Sequence, residues 1–402
     1  PPAASPPPRP MRILHVIVSL DPKQGGPPVV ATRLAAAQAA LGHAVSIVAH
    51  DEPEAAERIA KSVAAIPNFS AVRLLAAPPP TGRLEAVFGS KSKAFLRARI
   101  GEFDVLHLHG VWNTLIRVAG LVARGAGKPY VVTPHGMLDP WSLSQSTFKK
   151  FKKQIALSIA YRSMLDGAAF LHTLNADERD LLKPLNLKAP AEVLPNGVFL
   201  QEVSPLPPRG SFAAKHPELA GKPYILFLSR LHFKKGLDYL VEAFSKIATL
   251  HPDHHLVIAG PDDGMAETVK ELTNQLGVNG RVHLVGPLYG QDKLAAFVDC
   301  DCFCLPSRQE GFSMAITEAL ACERPAVISD QCHFPEVAEV NAGLITPCDA
   351  DKVAAALDEV LADPDLRARM GAAGRALVTS KFTWPKIAER SIDFYASHGV
   401  RD

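Results

Sequence analysis

Residues 301–325, DCFCLPSRQEGFSMAITEALACERP, set how the rest of the chain is read. They spell a short apolar strand, a loop ending in Glu310-Gly311, and a helix that opens at Ser313 and turns Glu318 inward. On one continuous helix the eight-residue spacing from Glu310 to Glu318 would separate the carboxylates by about 12 Å. Glu310 lies in the loop instead, so only Glu318 is held by the helix. Between them lie the N–H groups of Gly311, Phe312 and Ser313, at a helix start whose partial positive charge suits phosphate. A ligand with a central diphosphate and a polyol at each end fits this order, Glu318 taking a ribose and Glu310 a sugar. A surface helix with a capping serine and ordinary glutamates is the competing reading.

Working outward, apolar strands alternate with helical segments on both sides of a break. Before it, strands are expected at residues 12–19, 44–49, 72–75, 105–109 and 130–133, with helices ending near 41, over 82–100 and over 113–124. After it come strands at 224–229, 255–259, 281–285, the 301–325 unit, 326–329 and 343–345. Strands apolar on both faces and separated by helices imply parallel sheets covered on both sides. The expected class is therefore α/β: two tandem Rossmann-like, doubly wound parallel-sheet domains facing across a cleft. The expected parts are an extension at 1–10, a first domain at 11–204, a proline-interrupted linker at 205–222, and a second domain at 223–382. A final helix, 383–402, is expected to cross back to the first domain. Ligands of such sheets bind beyond the carboxyl ends of the strands.

Composition narrows the class. With 402 residues, 47% hydrophobic, 21% charged and a net charge of +2, the chain is globular, and its bulk charge makes no case for nucleic acid. The six cysteines fall after residue 299 without a C-x-x-C pair, as core thiols in a reducing cytoplasm would. No apolar run reaches the length of a membrane span. The G-x-G-x-x-G fingerprint is missing, against a nicotinamide enzyme.

The loop Ser229-Arg230-Leu231-His232-Phe233-Lys234-Lys235-Gly236 follows the first strand of the second half, where Arg230 can fork onto phosphate and Lys235 adds a point charge. Together with AGPDDG, VHLVGPL and the 301–325 region, it resembles the retaining GT-B glycosyltransferases of the large group-1 family, over nearly all of residues 11–395. The resemblance implies that Arg230 and Lys235 neutralise a leaving diphosphate, that Glu318 binds the ribose and Glu310 contacts the transferred sugar. Val285, Pro287 and Leu288 would border the base, and His135 in Pro134-His135-Gly136 would be the active-site histidine. One departure is that Glu323-Arg324 stands where the family often has a glycine before its proline.

In the first half, Gly25-Gly26-Pro27 offers backbone that a phosphate or hydroxyl could approach closely, with Gly26 the candidate contact; a plain turn explains it equally well. Trp112, Asn113 and Trp141 follow strand ends and either meet an acceptor or pack. His107 and His109 share a strand face but lack a third ligand at a suggestive spacing, and Asp299-Cys300-Asp301 sits at the wrong end of its strand for a metal. No cofactor and no essential metal are expected. Two basic clusters, Lys149–Lys153 around Phe151 and Lys91, Lys93, Arg97 and Arg99 beside Phe88 and Phe95, suit an anionic membrane surface or a solvated helix face.

The expected activity is retaining transfer of a hexose-type sugar from a UDP or GDP donor to a glycan or lipid-linked glycan, in bacterial surface polysaccharide synthesis. The expected place is the cytoplasm or the inner membrane face. The alternatives are a non-catalytic nucleotide-sugar binder and a GT-B nucleotide-sugar epimerase.

Overall fold

A computed structural model describes residues 9–50, 52–138 and 160–400. The chain divides into two compact units, residues 1–196 with 384–402, and 197–383. The first holds a parallel sheet of β1 (Arg12–Val16), β2 (Ala44–His50), β3 (Arg73–Ala77), β4 (Val105–His109), β5 (Tyr130–Thr133), β6 (Phe170–Thr173) and β7 (Ala191–Val193), in the order 3-2-1-4-5-6-7. The second holds β8 (Tyr224–Leu228), β9 (His255–Ala259), β10 (Val282–Gly286), β11 (Cys302–Leu305), β12 (Ala326–Ser329) and β13 (Gly343–Thr346), in the order 10-9-8-11-12-13 and also parallel. Each order reverses direction beside the unit's first strand, as doubly wound sheets do.

Helices cover both faces because the strands have no polar side to leave in water. Ile13, Val16, Leu106 and Leu108 are fully buried in the first unit, and Ile225, Val257, Phe303 and Val327 in the second. The helix Gly26–Ala40 lies between its sheet and the last helix, Trp384–Ser397, which belongs to the first unit.

Three differences from the expected layout have local causes. Residues 205–222 are not a linker but part of the second unit, where Phe212 and Leu219 enter the core. Asp299 fastens them by accepting from the N–H groups of Gly210 at 2.6 Å and Phe212 at 2.8 Å, while Asp301 meets Arg209 at 3.2 Å. Of the pair that resembled a metal motif, Asp299 thus anchors backbone and Asp301 a side chain. The helix expected over 82–100 is two helices, Arg83–Phe88 and Ser90–Arg97, jointed at Gly89 with φ +64°. Strands β6 and β7 extend the first sheet beyond the five strands expected. All six cysteines are free thiols, and only Cys348 is less than fully enclosed.

Candidate functional site

In the second unit the loops after β8 and β11 are drawn together by backbone. Gly236 has φ +67°, and a Cβ there would lie 2.0 Å from the Pro306 carbonyl oxygen, so only glycine permits the approach. The Arg308 N–H donates to the Lys234 carbonyl at 2.7 Å. Its guanidinium binds Asp238 at 2.7 Å and stands 4.1 Å from the ring centroids of both Phe233 and Tyr239.

This clamp carries Lys235 to Glu310, Nζ to Oε1 at 2.6 Å, with both side chains nearly enclosed (13% and 8% exposed). Ser307 Oγ donates to the same oxygen at 2.9 Å, and the Glu310 N–H donates to the Gln331 carbonyl at 3.0 Å. The second carboxylate oxygen has no hydrogen-bond partner among the described residues. Glu310 is thus fixed on one carboxylate oxygen and available on the other, beyond the carboxyl end of β11.

Glu318 stands on the helix Met314–Ala321 and takes Lys293 Nζ at 2.7 Å, from the helix Gly290–Asp299. Each glutamate therefore has its own lysine. Gly311 is exposed, with nothing within 4 Å of where a Cβ would be, so open space borders the start of that helix. Ser313 is the N-cap by position, yet its hydroxyl makes no capping bond. The Phe312 ring turns to the core, 5.5 Å from Phe334 and 6.2 Å from Phe382. Val285 and Leu288 are half-buried beside an irregularity in the β9–β10 pairing. Arg230 stands apart from the Lys235 pair: it extends to Asp263 at 2.7 Å, and both are well exposed.

In the first unit His135 follows β5 with φ +52°, a left-handed conformation that costs a non-glycine residue about 1–3 kcal/mol. The turn is held by Glu178, whose Oε1 accepts from Gly136 N–H at 2.8 Å and whose Oε2 accepts from Leu174 N–H at 2.7 Å. His135 Nε2 meets His109 Nδ1 at 3.1 Å, and His109 Nε2 meets His15 Nδ1 at 2.9 Å. His15 Nε2 lies 2.7 Å from Gln38 Oε1. His107 bridges Tyr395 OH, at 2.5 Å, and Thr133 Oγ1, at 2.6 Å, and Thr133 Oγ1 lies 3.0 Å from His172 Nδ1.

Burial holds every one of these imidazoles neutral: His15 and His172 are lowered to about 4, His135 to about 3, and His107 and His109 well below the ordinary value. His15 supplies the third imidazole that the His107-x-His109 pair lacked in sequence. All six ring nitrogens of the three are engaged in hydrogen bonds, so the cluster is complete as a polar network.

Of the acceptor candidates, Asn113 caps the helix Thr114–Gly125 through Leu115 N–H at 2.9 Å, and Trp112 Nε1 donates to the Met137 carbonyl at 3.1 Å. Both have structural employment. Trp141 lies outside the described residues, as does the cluster at 149–153. Gly25 has φ +88° and Gly26 opens the helix Gly26–Ala40, with open space in front of both.

Residues that sequence reasoning missed are Lys293, Ser307 and Arg308 in one unit, and His15, Gln38, Thr133, His172, Glu178 and Tyr395 in the other. Glu178 alone left a local signal, the Asn175-x-x-Glu178 capping spacing, with Asn175 Oδ1 accepting from Glu178 N–H at 2.7 Å.

Two family descriptions match the chain: "Glycosyl transferases group 1" over residues 209–377 and "Glycosyl transferase 4-like domain" over 25–197. The chain is 29% identical over 295 residues to the GDP-mannose-dependent monoacylated alpha-(1-6)-phosphatidylinositol monomannoside mannosyltransferase of Corynebacterium glutamicum, covering 70% of this chain and 73% of that protein. It is 32% identical over 215 residues to the GDP-mannose-dependent alpha-(1-6)-phosphatidylinositol monomannoside mannosyltransferase of Mycobacterium tuberculosis, covering 51% and 56%. Its fold matches that of Alr3699/HepE from Anabaena, solved with UDP and glucose, with a TM-score of 0.72 at 21% identity over 96% and 100% of the two chains.

Proposed function

The chain belongs to the group-1 glycosyltransferases and has their two-unit GT-B fold, and from that premise we propose that it transfers a hexose from a nucleotide-sugar with retention at the anomeric carbon. The observation that carries this reading is Glu310, enclosed, tied through one oxygen to Lys235 and Ser307, with its other oxygen available to a sugar hydroxyl. Glu318, paired with Lys293, is assigned the ribose. Lys235 and the start of the helix Met314–Ala321 are assigned the diphosphate, and Arg230 joins them on exchanging Asp263 for phosphate. The base lies toward Val285 and Leu288. GDP-mannose is the first donor to try because the relatives' names specify it, with UDP-sugars as comparators.

The step we assign is front-face. The acceptor oxygen bonds to the anomeric carbon as the carbon–oxygen bond to phosphate breaks, and the acceptor's proton passes to the departing phosphate oxygen. Glu310 is tied to a lysine and orients the sugar rather than attacking it, unlike the nucleophile of a retaining glycosidase. Cationic side chains supply the stabilisation of the leaving group, without an essential metal. His135 is the first unit's ligand-contacting side chain.

We further assign the acceptor to a lipid-borne glycan at the cytoplasmic membrane face. No helix among the described residues is long and apolar enough to cross a membrane. Leu84, Val87 and Phe88 are exposed on the helix Arg83–Phe88 beside Lys91 and Arg97, while Phe95 packs inward under Arg99. Sedimentation with anionic vesicles at low salt, lost on Phe88→Ser, is the expected behaviour.

The deciding experiment for the reaction is donor turnover with product NMR. A retained anomer is expected, with kcat lowered on the order of 10²-fold by Glu310→Gln while nucleotide binding persists. An inverted product, or unchanged turnover in Glu310→Gln, overturns the assignment.

A further inference from the structure

Five histidines of the first unit, His15, His107, His109, His135 and His172, lie on a single hydrogen-bonded line, and the direction of every bond on it is set at two places. Ser391 Oγ gives its one hydrogen to the Ala388 carbonyl at 2.6 Å, so toward Gln38, 2.8 Å away, it can only accept. The Gln38 atom facing Ser391 is therefore the amide nitrogen, and the carbonyl oxygen faces His15. That oxygen can only accept, so His15 carries its hydrogen on Nε2 and offers a lone pair at Nδ1. His109 must then donate from Nε2 and accept at Nδ1, which leaves His135 donating from Nε2. The ring planes are near parallel, 21° between His15 and His109 and 20° between His109 and His135, with centroids 5.2 and 5.4 Å apart.

The other arm fixes the same direction independently. His172 Nε2 lies 2.6 Å from the Leu194 carbonyl, a backbone acceptor, so it carries a hydrogen and Nδ1 accepts, with Thr133 Oγ1 at 3.0 Å and His107 Nε2 at 3.2 Å as its donors. Thr133 then accepts from His107 Nε2, His107 Nδ1 accepts from Tyr395, and Tyr395 accepts from the second hydrogen of the Gln38 amide at 3.1 Å. Both arms meet at Gln38 with compatible polarity.

We propose that Gln38, anchored by Ser391 on the last helix, is a positioning residue that fixes His135 as the Nε2–H tautomer, so that His135 presents a lone pair at Nδ1. Which nitrogen of a histidine carries the proton is decided by the bond the other makes, and here that bond is traced through His15 and His109 to an amide. Nδ1 of His135 has no partner among the described residues. A line of bonds polarised one way strengthens its ends, so Nδ1 is an improved acceptor. Its partner is a group that brings a hydrogen, such as a hydroxyl of a sugar or glycan, and not an anionic phosphate oxygen. This last clause rests on the proposed transferase activity; the tautomer does not.

The test reads the tautomer first, in the wild-type protein without substrate. In 15N NMR of the imidazoles, with His135 assigned by the signals lost in His135→Gln, Nε2 is expected to be the protonated, pyrrole-type nitrogen and Nδ1 the bare one. The opposite assignment overturns the proposal, whatever the enzyme does. Gln38→Leu removes the acceptor and is expected to mix the His135 tautomers and lower kcat/KM on the order of tenfold. Gln38→Glu keeps an acceptor toward His15 and is expected to restore the single tautomer. A wild-type spectrum as expected, with an unmixed spectrum in Gln38→Leu, removes Gln38 as the determinant. If transfer is never found while the spectrum behaves as stated, the activity assignment fails and the positioning role stands.

Discussion

In the first unit, the strands at the middle of the sheet carry His15, His107, His109, Thr133 and His172 as buried side chains, hydrogen-bonded into one network. The second unit has the same winding, yet between their ends β8, β9, β11 and β12 carry only aliphatic, aromatic and thiol side chains. Its polar groups sit at the strand ends, and Lys235, Glu310 and Ser307 meet at the carboxyl side. Parallel sheets buried on both faces tolerate either interior provided that every buried donor and acceptor finds a partner. One unit thus keeps its chemistry at the rim of a dry core, and the other runs it through the core to the last helix.

Acid separates the two most strongly. Every imidazole of the first unit's network has its folded value pushed down by burial, so below the ordinary 6.5 the unfolded chain binds protons that the folded one refuses. Their contribution to stability is complete above 6.5 and is lost as the pH falls toward 4. Each group withdraws about 1.4 kcal/mol per pH unit in that window. The second unit has the His255–His283 pair lowered in this way, at the amino end of its sheet. Hydrogen-exchange protection, corrected for intrinsic rate, should fall for β1, β4 and β5 between pH 7 and 5 well before it falls for β8 and β11. Parallel losses would erase the contrast.

Next in size is the rim of the second unit. Lys235→Met strands the enclosed Glu310 carboxylate and should cost about 3–5 kcal/mol in a denaturant titration, with Lys235→Met/Glu310→Leu recovering most of it. Neither variant should transfer sugar. A single variant within 1 kcal/mol of wild type would mean that the pair is wetter than its exposure indicates.

How much of this was legible follows from distance along the chain. Glu310, Gly311 and Glu318 could be read because a strand, a loop and a helix start lie within one short stretch, and β8, β9, β11 and β12 because they are apolar runs between turn residues. Lys293 could not: it reaches Glu318 across 25 residues through a side-chain contact that no local pattern encodes. Gln38 sits in an alanine-rich helix with nothing to mark it, and its bonds to Ser391 and Tyr395 span 353 and 357 residues. Strands β6 and β7 are short and precede no motif. Residues 205–222 looked like a linker because proline and charge dominate them, while the two side chains that bury, Phe212 and Leu219, are too sparse to make a period.

An exchange of polarity between the sheets sharpens the contrast further. Thr133→Val keeps shape but removes the hydroxyl between His107 Nε2 and His172 Nδ1, leaving them only their longer direct contact of 3.2 Å, and Cys304→Ser puts a hydroxyl in place of a buried thiol. Each should cost about 1–3 kcal/mol. Chemical-denaturation midpoints would check both; a neutral Thr133→Val would show that the line of histidines tolerates a gap.

The smallest effect concerns two of the strained residues, His135 and Glu323. His135, at φ +52°, carries its strain at the end of the histidine line, where the imidazole direction is the return. Glu323, at φ +60°, has no such employment: it is the left-handed residue that closes the helix Met314–Ala321. Its N–H donates to the Leu320 carbonyl at 3.0 Å and the next N–H, of Arg324, to Ala319 at 3.0 Å, the paired bonds of a Schellman ending. Glycine is the usual residue at that position, and the departure noticed in Glu323-Arg324 is explained by a backbone that would prefer it. Glu323→Gly relieves the left-handed penalty of about 1–2 kcal/mol and gives back about 0.5–1 kcal/mol in chain entropy, for a net gain near 1 kcal/mol or below. A small rise in Tm with unchanged transfer is expected. A fall would mean that the glutamate side chain, and not the backbone, holds the end of the helix that carries Glu318.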